Sequence, residues 1–224
     1  MELTVHHLGV SQSERVVWVC EELSIPYKLE HYRRSPLFAP PKYKALHPQG
    51  TAPTIQDGNL TLAESGACIE YICHRHGDGR LFPKPTDPAY PDFLYWWHWG
   101  NGTLVPKIAR GAMFRRAGAG EDDPMRKYTE DAINNSLRMM DERLAMVEWL
   151  AGNEFTAADI MVVFPLTTFR HFAPYSLAEY PNILEYLKRV GEREAYKKAL
   201  AKSDPGLELV LGADPPKKPV LVMN

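Results

Sequence analysis

The spacing of apolar and polar positions changes several times along the chain, and each change predicts an element. Leu3 to Leu8 is rich in strand formers and stops at Gly9. Val16, Val19, Cys20 and Leu23 then recur at helical spacing, which predicts a helix over about 13–24, closed by Ser24-Ile25-Pro26. Tyr27 to Tyr32 reads as a second strand, so the chain opens with a strand–helix–strand unit, consistent with a parallel pair. A Pro-rich stretch and a short helix at about 41–46 follow. Thr54–Gln56 and Leu60–Leu62 flank the turn Asp57-Gly58-Asn59 as two short strands, and Ser65 opens a helix that runs to about His76. The element order to this point is βαβ, then αββα.

Gly77, Gly79, Pro83, Pro85 and Pro88 mark residues 77–88 as a linker. Beyond it the period becomes helical throughout. One helix is expected over about 89–116, bent near Gly100-Asn101-Gly102. A second is expected over about 123–149, with Ile133, Leu137, Met140, Leu144 and Val147 as its apolar stripe. A third begins after Thr156 and is apolar nearly all round, which suits a central buried helix. Two more are expected at about 181–190 and 193–202. The tail from Asp204, with Pro205, Pro215, Pro216 and Pro219, reads as irregular. The expected layout is therefore an α/β domain over 1–80 and an all-helical domain over 88–224.

Composition narrows the function classes. The chain has 224 residues, with 26 Lys and Arg against 28 Asp and Glu, a net charge of −2. Neither half carries the basic excess that binding a phosphate backbone requires, so no nucleic-acid partner is expected. The longest apolar run, Ile160 to Leu166, falls far short of the ~18 residues of a membrane span and contains Pro165. The opening Met-Glu leads into an amphipathic stretch and does not read as a signal peptide. The three cysteines, Cys20, Cys68 and Cys73, form no CxxC pair. They read as buried structural thiols in a reducing, cytoplasmic compartment. No Cys/His spacing suggests a metal, and no GxGxxG or GxxxxGK[ST] loop is present.

Four places could carry chemistry, and each has a purely structural alternative. Gly9-Val10-Ser11-Gln12-Ser13-Glu14-Arg15 joins a strand to a helix N-terminus. Free N–H groups and the helix dipole favour an anion there, and a serine hydroxyl can donate to a bound thiolate or carboxylate. Equally, Ser11-x-x-Glu14 fits a capping box, and Ser13 could cap. Gly50-Thr51-Ala52-Pro53-Thr54 fits either a cis-proline that leaves the Ala52 backbone free for a peptide-like ligand or an ordinary edge-strand proline. Glu64-Ser65 suits a ligand ammonium and carboxylate, or Ser65 is simply an N-cap. Thr156-Ala157-Ala158-Asp159 reads as a helix cap, because a buried carboxylate needs partners. His6 and His7 point to opposite faces of a strand. Trp96, Trp97 and Trp99 read as packing, and Lys107, Arg110, Arg115 and Arg116 as a solvated face.

Taken together and in order, these segments resemble the soluble glutathione transferases, most nearly the serine-type, theta-like members of fungal and bacterial kinds. The likeness rests on His6-His7-Leu8 through Ser11-Gln12-Ser13-Glu14-Arg15, His47-Pro48-Gln49-Gly50-Thr51-Ala52-Pro53, and Leu62-Ala63-Glu64-Ser65-Gly66-Ala67. Phe155-Thr156-Ala157-Ala158-Asp159-Ile160 and Tyr180-Pro181-Asn182-Ile183 extend it across nearly the whole chain. The resemblance implies a thioredoxin-like N-terminal domain, an all-α C-terminal domain, a homodimer, and glutathione as co-substrate. It implies Ser11 as the serine that faces the glutathione sulfur, with Ser13 the fallback, and Thr51, Ala52, Pro53, Glu64 and Ser65 as glutathione-binding residues. Many relatives carry a basic residue where Gly50-Thr51 stands, and Lys42, Lys44 or His47 would replace it at the glycine carboxylate. Val10, Lys107, Arg110 and Phe114 are implied for a small electrophilic second substrate. The activity the resemblance implies is conjugation of the glutathione thiolate to small apolar electrophiles, with glutathione peroxidase activity as an accompanying expectation; a glutathione-dependent disulfide oxidoreductase and a non-catalytic carrier are the competing readings.

Overall fold

The computed structural model describes residues 3–35 and 37–217. It divides into two compact units, one of residues 1–82 with 191–208 and one of residues 83–190 with 209–224. In the first unit, β1 (Leu3–Leu8), α1 (Glu14–Leu23) and β2 (Tyr27–Tyr32) form the expected strand–helix–strand motif. A short α2 (Pro41–Lys44), the hairpin β3 (Thr54–Asp57) and β4 (Leu60–Ala63), and α3 (Ser65–His76) follow. The sheet order is β2-β1-β3-β4, with β1 parallel to β2 and antiparallel to β3. This is a thioredoxin-like arrangement. Val5, Val16, Cys20, Ile55, Ile69 and Ile72 are fully buried in its core.

Register brings three of the candidate segments to one end of this unit. His6 pairs with Thr54, and Thr54 pairs with Ala63. The chain leaving β1 at Leu8, the Pro53 that precedes β3 and the Glu64 that follows β4 therefore meet at one end of the sheet. No local pattern announces this, because the pairing is between strands about fifty residues apart.

The helical unit holds α4 (Tyr90–Trp99), α5 (Val105–Arg116), α6 (Pro124–Leu144), α7 (Ala157–Leu166) and most of α8 (Pro181–Glu192). The bend expected near Gly100 is a π-turn over Gly100–Leu104. A Cβ on Gly100 would lie 2.9 Å from Met161 of α7, so the helices approach here only because glycine stands at the turn. The stripe expected to reach Val147 stops earlier, at Leu144. Trp149 and Gly152 pair through two 2.8 Å backbone bonds, and the Leu150 amide goes to Asp159, so the chain turns. All ten residues of α7 are buried. Thr156 and Asp159 form the capping box read from the sequence. No helix of the described residues is long and apolar enough to cross a membrane.

The last helix, α9 (Glu194–Ser203), was grouped by sequence with the helical domain over 88–224, but it packs on α1 in the first unit. Tyr196 meets Trp18 edge to face at 4.7 Å, and Arg193 grips Glu22 with bonds of 2.7 and 2.8 Å. The described tail beyond α9 has no regular structure, as expected, and returns to the helical unit, where Arg170 donates to the Gly212 and Ala213 carbonyls. Pro219 lies outside the described residues.

Candidate active site

The turn after β1 is held open by an unusual backbone. Val10 has φ 51, a conformation β-branched residues rarely adopt. Arg34 holds it from one side, donating to the Gly9 carbonyl at 2.8 Å and the Val10 carbonyl at 2.9 Å. Asp204 holds it from the other, accepting the Val10 amide at 2.9 Å. Neither residue carries a local sequence signal for this role.

Ser11 follows this turn and is 6% exposed. The capping box with Glu14 does not form through its side chain. Instead the Ser11 hydroxyl lies 2.6 Å from the Leu8 carbonyl and 2.7 Å from the Ser13 hydroxyl, and it accepts the Ser13 amide at 3.2 Å. Ser13 is the N-cap residue of α1, yet its hydroxyl makes no cap bond. It sits 2.8 Å from His7 Nδ1 and accepts the Leu8 amide at 3.1 Å. The two serines are thus adjacent parts of one buried network. His6 and His7 do face apart: His6 bonds Tyr32 and Gln56, whereas His7 turns to Ser13 and Asp204.

The turn is tied directly to the start of α3. Arg15 donates to Gln12 Oε1 at 2.7 Å and to Ser65 Oγ at 3.1 Å, and Ser65 donates to Gln12 at 3.3 Å. Arg15 is fully buried, and burial pulls its guanidinium down to about 9, still cationic at neutral pH. A fixed positive charge therefore lies beside Ser65. Glu64 has φ 76 and an exposed side chain, and Gln49 donates to its carboxylate at 2.6 Å. Sequence reading passed over Gln12 and Gln49, whose only signal is their place inside the quoted motifs.

The Ala52–Pro53 peptide is cis. Ala52 lies ahead of β3, outside the paired register. Thr51 is exposed. Lys42 is exposed on α2, and His47 accepts the Gln49 amide at 3.2 Å. Lys44 packs beside Gly50, which takes a positive φ of 63. In the helical unit, Lys107 donates to Ser136 at 2.7 Å, Arg110 is exposed, and Phe114 is half-buried. The three cysteines are free and buried; burial pushes Cys68 and Cys73 up to about 12 and Cys20 further. Among the described residues, no group of three or more His, Cys, Asp or Glu is placed to hold a metal ion.

Residues 11–75 match the N-terminal domain model of glutathione S-transferases, and residues 99–194 match the C-terminal domain model. Glutathione S-transferase 3 of Schizosaccharomyces pombe is 31% identical over 214 residues, covering 89% of this chain and 87% of that protein. The chain belongs to the glutathione S-transferase family. Glutathione S-transferase 1 of Manduca sexta is 29% identical, covering 93% of this chain and 95% of its own. A crystal structure of a glutathione S-transferase from Actinobacillus pleuropneumoniae superimposes with a TM-score of 0.82 at 32% identity, covering 92% of this chain and 94% of that one. Family membership makes the protein a transferase with a thioredoxin-like N-terminal domain and a helical C-terminal domain.

Proposed function

We propose that the enzyme joins the glutathione sulfur to small apolar electrophiles in the cytoplasm, as a detoxifying activity. One observation carries the reading: Arg15, Gln12 and Ser65 bond to one another, which draws the Ser11 turn and the Glu64-Ser65 turn together at the end of the sheet where Pro53 also lies. Ser65 and Glu64 would hold the γ-glutamyl carboxylate and ammonium of glutathione. The Ala52 backbone, next to Thr51 and Pro53, would pair with its cysteinyl residue, and Lys42 or His47 would meet its glycine carboxylate. The Ser11 hydroxyl would face the sulfur. Val10, Arg110 and Phe114 remain proposed as the residues that set the choice of electrophile; Lys107, which donates to Ser136, lines the α4–α6 groove instead.

A free thiol ionises near 8.5, so only a few per cent is thiolate at neutral pH. A hydrogen bond to the thiolate is worth roughly 1.5–3 kcal/mol. Ser11 stabilises the nucleophile in this scheme and is not itself one. The high thiol affinity for protons at Cys20, Cys68 and Cys73 and their burial argue against the disulfide oxidoreductase reading.

Homodimer formation is proposed through the outer face of α4 and α6. A groove of about 760 Å³ lies there, lined in part by Leu94, Tyr95, His98, Asn135 and Met139, and Tyr95 is 49% exposed.

The deciding experiment compares the parent with Ser11→Ala. The parent is expected to be retained on immobilised glutathione and to conjugate a generic electrophile. The variant should keep glutathione binding and lose turnover by ~10–100-fold, the value of one charge-assisted hydrogen bond. Full turnover in Ser11→Ala refutes the role. Retention without turnover on any electrophile, hydroperoxide or mixed disulfide makes the protein a carrier.

A further inference from the structure

Behind Ser11 runs an unbroken chain of short hydrogen bonds that ends on a buried histidine. Ser11 Oγ is 2.7 Å from Ser13 Oγ, Ser13 Oγ is 2.8 Å from His7 Nδ1, and His7 Nε2 is 3.1 Å from Asp204 Oδ2. His7 and Ser13 are completely buried. The elements that build the chain are β1, the turn that follows it and the end of α9, all in the first unit.

The protons in this chain have one consistent direction. A carboxylate only accepts, so the His7 proton sits on Nε2, facing Asp204. Nδ1 is then an acceptor and takes the Ser13 hydroxyl proton. Ser13 Oγ in turn accepts from Ser11, with the Leu8 carbonyl, 2.6 Å from Ser11 Oγ and 3.3 Å from Ser13 Oγ, as the alternative acceptor for either hydroxyl. With Ser11 donating to Ser13, both hydroxyls of the chain point inward, toward His7.

We propose that His7, backed by Asp204, takes up the proton of the glutathione thiol through Ser11 and Ser13. This rests on the reading of Ser11 as the residue facing the sulfur. The S–H proton passes to Ser11 Oγ as the Ser11 proton passes to Ser13 Oγ and the Ser13 proton passes to His7 Nδ1. The sulfur keeps the bonding electron pair and becomes a thiolate. His7 becomes an imidazolium whose charge forms beside the Asp204 carboxylate, the placement that stabilises such a charge in serine hydrolases. No proton is gained or lost overall. After the transfer every bond in the chain points the other way: His7 donates to Ser13, Ser13 to Ser11, and Ser11 to the thiolate. The same movement therefore removes the thiol proton and leaves Ser11 as the donor that holds the thiolate. Once the sulfur has reacted, the proton returns along the chain to the leaving group or to water.

Other charges face this histidine. The His31 ring stands edge-on at 5.8 Å, and Arg33 and Lys202 line the cleft that Asp204 and His7 share. Arg34 lies near Asp204 and is held by the turn carbonyls. Ser13 is a positioning and relay residue and Asp204 a positioning residue; in this scheme neither touches glutathione.

The test is a pH titration of the glutathione thiolate absorbance in the full-length protein, for the parent, Ser13→Ala, Asp204→Asn and the double variant. Ser13→Ala cuts the chain at its centre. Asp204→Asn keeps an oxygen for the Val10 amide but offers its NH₂ to His7 Nε2, which forces the proton onto Nδ1 and removes the acceptor. Each single variant should raise the midpoint of thiolate formation by about one pH unit, a tenfold loss of thiolate below it, with glutathione affinity kept. The double variant should shift no further than either single one, because both cut the same path. Titrations of the single variants that overlay the parent, or shifts that add, overturn the proposal. Ser11→Ala, titrated alongside, separates the two readings. If it shifts the midpoint and the others do not, only the relay fails; if it too leaves the midpoint in place, Ser11 does not face the sulfur.

Discussion

The Val10 amide donates to Oδ1 of Asp204 at 2.9 Å, joining positions 194 residues apart in sequence. That bond, with the Arg34 grip on the neighbouring carbonyls, holds Val10 at φ 51. Residues in such regions persist only where their surroundings over-determine them, and the strain costs about 1–3 kcal/mol. Two variants separate the strain from the support. Val10→Gly loses a half-buried side chain but also loses the strain, so its unfolding free energy should stay within about 1 kcal/mol of the parent. Asp204→Ala leaves the Val10 amide and His7 Nε2 without their acceptor and should cost about 2 kcal/mol. Urea unfolding of both measures this. A larger loss in Val10→Gly than in Asp204→Ala would mean that packing of the valine, not its backbone, governs the turn.

Glu64 presents a second strained position, with φ 76, and its carboxylate is steadied by Gln49 at 2.6 Å. In the proposed site it meets the ligand ammonium. Glu64→Gln keeps the shape and removes the charge. The dissociation constant for glutathione should rise about tenfold or more, the value of one charge-assisted hydrogen bond, while thermal stability changes little because the side chain is exposed. Titration calorimetry reads the first and thermal melting the second. Unchanged affinity removes Glu64 from the binding set.

The legible parts of this molecule were those written in local pattern. The 3.6-residue stripes of α1, α6 and α8, the glycine bend after Trp99 and the Thr156–Asp159 cap all came from residues within one or two turns of each other. Serine at a strand–helix junction and proline before a strand likewise marked two corners of the candidate site. What periodicity missed depends on tertiary closure. The packing of α9 on α1 follows from Tyr196 meeting Trp18; α9 buries Tyr196, Ala199, Leu200 and Ser203 on one face, as a helix of either unit would, so its stripe does not say which unit it covers. The Ser11-x-x-Glu14 pattern matched a capping box, yet Leu8 and Ser13 compete for the Ser11 hydroxyl and win. Asp204 sits in what read as an irregular tail, and only the folded chain brings it to Val10 and His7.

Asp159 gives a pH prediction of definite sign. It is fully buried at the start of α7, where four donors reach it: the Leu150 and Thr156 amides, the Thr156 hydroxyl and the Tyr186 hydroxyl. Burial outweighs these donors and lifts the carboxyl from its ordinary 3.8 to about 6. Below pH about 4 the group is protonated in both folded and unfolded chains. As pH rises from about 4 to 6 the unfolded chain releases this proton first, so the folded state binds more protons and loses stability. The loss is roughly 2–3 kcal/mol and is complete above the folded value. Asp159→Asn does not titrate and escapes this loss, although its NH₂ group faces donors and makes it the less stable protein. The gap in unfolding free energy between parent and variant should therefore narrow as pH rises from 4 to 7, measured by urea unfolding at each pH. A gap that widens instead would show that the four donors, rather than burial, decide the proton affinity of this carboxyl.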